Sequence, residues 1–90
     1  MTPDSAATVA LQVLRWLAED GERLGTFLAE TGLDGTALRA RMADTAFLGG
    51  VLDYLLADEG RLLEFCAATA VPVGLPGRAR RVLPGATPDI

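Results

Sequence analysis

Two stretches decide how this chain is read: "WLAEDGERLGTFLAETGLD" at residues 16–34 and "YLLADEGRLLEFCAATAVP" at residues 54–72. Trp16 and Tyr54 open them in equivalent places, and Leu17 matches Leu55. Asp20 matches Asp58, Arg23-Leu24 matches Arg61-Leu62, Phe27 matches Phe65, and Thr31 matches Thr69. After one inserted residue, "RAR" at 39–41 finds "RAR" at 78–80. Each half, taken as 14–42 and 52–81, reads as a long helix, a middle helix and a short basic helix. Helical arrays generally need three or more units to bury their faces. Two copies therefore suit a closed, pseudo-symmetric bundle, with the halves expected to be related by a twofold in space.

The helix boundaries follow from local chemistry. Thr2-Pro3-Asp4 supplies a capping hydroxyl, a Pro just inside the first turn, and an acid near the positive end of the dipole. Thr8, Gln12, Arg15 and Glu19 draw one polar stripe, with Val9, Ala10, Val13, Leu14, Trp16 and Leu17 on the rest, so a first helix is predicted from 3 to about 19. Asp20 caps a second helix that buries Leu24, Phe27 and Leu28, and Gly32 with Leu33 reads as its left-handed stop. Asp34, Asp44 and Asp58 are expected to cap three more. The helix "TAFLGGVLDYLLA" at 45–57 carries one charge, Asp53, and is expected at the centre of the fold. Its Gly49-Gly50 pair costs on the order of 1 kcal/mol per Gly against Ala, which predicts a close helix crossing there, placed at Gly50. Pro76 opens a short sixth helix over 77–83, and Pro84-Gly85 stops it. The fold class is all-α: a compact bundle of five to six short helices, one domain over 1–83, with 84–90 a loose tail.

Composition narrows the chemistry. The 90 residues include fifteen Ala and five aromatics, a mix that favours helices over sheet. Eight Arg and no Lys stand against twelve carboxylates, for a net charge of −4. The body is acidic: residues 1–76 hold five Arg and eleven Asp or Glu, while 77–90 hold three Arg and one Asp. An acidic body repels phosphate backbones, so nucleic acid is not the expected partner. With no His and one Cys, zinc, haem and His-dependent catalysis lose their usual ligands and bases. One Cys forms no internal disulfide, which fits a reducing compartment. The N-terminal stretch lacks a basic start and Arg15 interrupts it, and "AFLGGVL" is too short to cross a bilayer. The expectation is a cytoplasmic protein with no membrane segment and no cofactor.

As a set, "ALQVLRWLAED" (10–20), "LGTFLAETGLD" (24–34), "LRAR" (38–41), "FLGGVLDYLLADEGRLLEFC" (47–66) and "ARRVLPG" (79–85) are distinctive. Together they resemble a family of short bacterial proteins described only as a domain of unknown function, over roughly residues 6 to 85. The resemblance implies an all-helical fold and no established activity, cofactor or catalytic residue. The chain departs from the family pattern at "VPVGLPG" (71–77), where an acidic or Ala-rich helix start is expected.

Three features invite a functional reading. The carboxylate pairs Glu19-Asp20 and Asp58-Glu59 could hold a divalent ion, but both sit where helix caps belong. Cys66 replaces Leu28 of the first half and is expected in the core, with no His to activate it. Arg78, Arg80 and Arg81, after Pro76-Gly77, could bind a phosphate or an acidic partner, extended by Arg39 and Arg41 if the halves pack symmetrically. Against this, Arg near a helix C-terminus complements the dipole, and no aromatics interleave to stack on bases. The sequence points to a non-enzymatic module that binds another protein or forms a homodimer, through the first or the fourth helix. A weak nucleic-acid or anion binder using Arg78, Arg80 and Arg81 is the alternative.

Overall fold

Every α-helix predicted from a capping residue forms. In the computed structural model, which describes residues 1–84, these are α1 (Pro3–Ala18), α2 (Gly21–Thr31), α3 (Gly35–Arg41), α4 (Thr45–Leu56), α5 (Glu59–Thr69) and α6 (Leu75–Val82). There is no strand among the described residues. Thr2 Oγ1 accepts from the Ser5 amide at the start of α1. Asp20, Asp34, Asp44 and Asp58 do the same for α2 to α5, at 2.9, 2.8, 2.9 and 3.1 Å. Each cap satisfies amides that have no partner inside the helix. Gly32 ends α2 with φ 72°, the left-handed stop, and Ala70 ends α5 with φ 59°. Only Gly is at ease there, so Ala70 carries a steric cost that Gly32 does not. The sixth helix begins at Leu75, ahead of its expected start at 77, because Pro76 falls in its first turn without losing a needed amide.

The core is built on α1 and α4, which pack on each other while α6 covers both. Ala6, Ala10, Val13 and Leu17 of α1 and Val51, Leu52 and Leu55 of α4 are almost fully buried. Phe27 of α2 and Phe65 of α5 close the core from either side. The aromatic packing is reciprocal between the halves. Trp16 meets Phe65 edge to face at 5.7 Å between ring centres, and Tyr54, its counterpart, meets Phe27 at 4.9 Å.

The third helices of the two halves pack differently. The sequence equates α3 with α6, but α6 buries Pro76 and Ala79 against α1 and α4, whereas α3 buries no residue at all. A twofold relation of complete halves therefore does not describe α3 and α6. Sequence explains the split: α6 brings Pro76, Ala79, Val82 and Leu83, while the apolar side of α3 amounts to Ala37 and Leu38.

A second correction concerns the double glycine. Gly50 is exposed, and a Cβ added there meets nothing within 4 Å. Gly49 is the buried one: a Cβ there would lie 2.9 Å from the Pro84 carbonyl oxygen and 3.0 Å from Arg80 Nη1. The close approach is real, one residue earlier than expected, and comes from the end of α6. The loose tail expected over 84–90 falls, from residue 85 onward, outside the described residues.

Candidate functional site

The three arginines singled out from the sequence do not act together. Arg80 folds back onto the body, where its Nε donates to Asp53 of α4 and its Nη1 to the Leu83 and Pro84 carbonyls, both at 3.3 Å. Its side chain is largely buried by these contacts. Arg78 and Arg81 stay exposed. Because α3 does not pack substantially on α6, Arg39 and Arg41 are not joined to this group as symmetric packing required. Part of the basic cluster is therefore a clasp between α6 and α4.

The other features singled out from the sequence are structural. Asp20 and Asp58 spend their carboxylates on capping, and no group of three or more metal-suited side chains occurs among the described residues. Cys66 is buried, its sulfur 3.9 Å from the Pro72 carbonyl, and burial raises its thiol pKa. A buried, hard-to-ionise thiol is a poor nucleophile.

Arg23 and Arg61 follow the capping acids Asp20 and Asp58 by three residues, and Arg23 lies 3.7 Å from Asp20. Their main contacts, however, run backwards to the preceding helix. Arg23 donates to the Trp16 carbonyl at 2.8 Å and stacks 4.3 Å from the Trp16 ring. Arg61 donates to the Tyr54 carbonyl through Nε and Nη2 at 3.2 and 2.7 Å, and lies 3.8 Å from the Tyr54 ring. Those carbonyls belong to last helical turns, where acceptors lack the usual partner four residues on, although the Trp16 oxygen also accepts from the Glu19 amide at 3.3 Å. The two stacks line one shared groove of about 360 Å³, with Glu22, Asp58 and Glu64 around it. The Arg-to-aromatic spacing of seven residues, present in both halves, was the signal for this staple.

A different groove has the character of a binding surface. Because α3 stands off from α1, a cleft of about 520 Å³ opens between them, floored by Leu14 and Leu24. Leu11 and Ala18 form one wall and Leu38 and Met42 the other. Leu11 and Met42 are 37% and 41% exposed, far more than a core would leave them. The charged residues lining the cleft are Arg15 and Arg39, with no carboxylate among them. Neither Arg15 nor Arg39 forms an ion pair with a described residue. Sequence reasoning named the first helix as one of two possible interaction surfaces and missed Leu11. Leu11 and Ala18 extend the apolar arc of α1 past Leu14, which is buried in the core, and an arc that wide exceeds what a single core face needs. The fourth helix, the other candidate, is spent on the core.

The family model for a protein of unknown function, DUF3572, matches residues 3–86, nearly the full chain. The chain belongs to DUF3572. No curated protein and no solved structure shows significant similarity to this DUF3572 chain. The family brings no activity with it, so function must be argued from the surface. No helix among the described residues is long and apolar enough to cross a membrane.

Proposed function

We propose that this DUF3572 chain is a non-enzymatic protein-interaction module that works in the cytoplasm. One observation carries the reading: an apolar cleft left open between α1 and α3, with Leu11 and Met42 exposed on its walls. Exposed contiguous apolar surface of this kind marks association sites. The titratable groups support the same reading, since Asp20, Asp34, Asp44 and Asp58 cap helices and Cys66 is buried. The competing anion-binding reading is weakened by Arg80, which is committed to Asp53 and two carbonyls.

The test is affinity capture of a tagged chain from host extract, with nuclease, at low and moderate salt. The captured protein is then identified, purified and rebound to the pure chain. The expected result is a complex of defined stoichiometry that survives nuclease and salt, because apolar contacts hold as ionic strength rises. Capture of nucleic acid that fades with salt, and is lost in an Arg78→Ala/Arg81→Ala variant, would replace this reading with the anion-binding one.

A further inference from the structure

We infer that the cleft between α1 and α3 receives the apolar face of an acidic amphipathic helix from another protein, an inference that rests on the interaction reading above. The shape comes first. The walls are themselves helices, with Leu11, Leu14 and Ala18 spaced along α1 and Leu38 and Met42 one turn apart on α3 and its cap. No strand edge exists among the described residues to template an added strand. A helix laid in the cleft meets this surface with side chains at i, i+3 or i+4, and i+7, which is how amphipathic helices dock in grooves. Met42 adds a flexible wall that adjusts to different apolar side chains.

Charge then selects the occupant. The chain is net −4, yet the charged residues lining the cleft are two arginines, both exposed and without ion partners among the described residues. Arg15 projects from the α1 wall and Arg39 from the α3 wall, so carboxylates flanking an apolar stripe find a guanidinium on each side. The same arrangement disfavours a second copy docking cleft to cleft, since that brings four arginines into one interface with no acid lining it. A basic helix meets like charge on both rims.

The test is a selection on the full 90-residue chain. The probe is a displayed library of helical peptides about five turns long. An apolar stripe is fixed and the flanking positions are drawn equally from Glu, Lys and Ser. The same library is selected on an Arg15→Glu/Arg39→Glu variant. Enrichment of Glu flanks on the natural chain and of Lys flanks on the reversed one is expected. The winning peptides should lose about tenfold or more in affinity by fluorescence anisotropy when Leu11→Glu and Met42→Glu are introduced. All four substituted residues are exposed in α1, α3 or its cap, and circular dichroism checks that the fold is kept. No enrichment, identical flanks from both selections, or binding indifferent to Leu11→Glu and Met42→Glu would overturn the inference. A natural partner whose binding ignores all four substitutions would also overturn it while leaving the module reading standing. Extract capture that yields no protein removes the module reading instead.

Discussion

At Gly49 and Gly50, two identical neighbours in one helix face opposite constraints. Gly50 is exposed with open space where a Cβ would go, so Gly50→Ala removes only the helix cost of Gly. That variant is expected to be more stable by about 0.5–1 kcal/mol in urea denaturation. At Gly49 the added methyl presses on the Pro84 carbonyl and on Arg80, whose guanidinium is held by Asp53. Gly49→Ala should therefore lose on the order of 1 kcal/mol despite the same propensity gain. Equal shifts for the two variants would show that the α6 end does not press on α4. Titration acts at this scale as well. Burial raises the pKa of the Cys66 thiol and of the Tyr54 phenol; Arg61 pulls Tyr54 back down, while Glu30 and Asp58 add to the rise. Both groups are neutral when protonated, so folding favours the protonated forms. Their contribution is full below the unfolded-state pKa values and is lost as pH climbs through the folded ones. Stability should hold steady to about pH 8.5, where a free thiol ionises, and then decline. Cys66→Ala should blunt the first part of that decline in urea titrations run at stepped pH. Unfolded chain should react with a thiol reagent far faster than folded chain.

Among the elements, the unit that recurs is a helix end tied to the next helix by a capping Asp and a backward-reaching Arg. Asp20 and Asp58 start α2 and α5, and Arg23 and Arg61 return to the carbonyls of Trp16 and Tyr54. The caps were legible in the sequence because capping is a local rule that a short window contains. The staples were not, because assigning an Arg to a carbonyl seven residues back requires the angle between two helices. The repeat held the clue all the same, since Trp16 with Arg23 and Tyr54 with Arg61 keep one spacing. Arg61→Lys tests the staple: it keeps the charge but loses the fork that puts two donors on one oxygen over the ring. A loss of about 1 kcal/mol is expected, and a double-mutant cycle with Tyr54→Leu should show coupling. An additive cycle would mean that the stack contributes nothing beyond the hydrogen bonds.

Across the molecule, stability and binding surface fall on different helices. The central place of α4 was readable from its apolar sequence, since a helix apolar nearly all round has no stable place except the centre. The separate fates of α3 and α6 were not readable, because "RAR" stands in both and the difference lies in how many apolar neighbours each brings to a shared core. The candidate cleft is a product of that difference: it exists because α3 is held away from α1 by having little to bury. An element with few buried contacts should open locally at a free energy well below that of global unfolding. In native-state hydrogen exchange, the amides of α3 should exchange first, and those of α1 and α4 last and together. Substitutions should follow the same order. Phe65→Ala removes a fully buried ring and should cost about 3–5 kcal/mol. Leu38→Ala, on a half-buried wall of the cleft, should cost about 1 kcal/mol or less. Protection in α3 equal to that of α1 would mean that α3 is part of the cooperative core, and the cleft beside it a fixed crease of the body. Slow exchange confined to α3 once a partner is bound would instead mark it as the wall that closes over the occupant, since a weakly packed helix gains the most order from being covered.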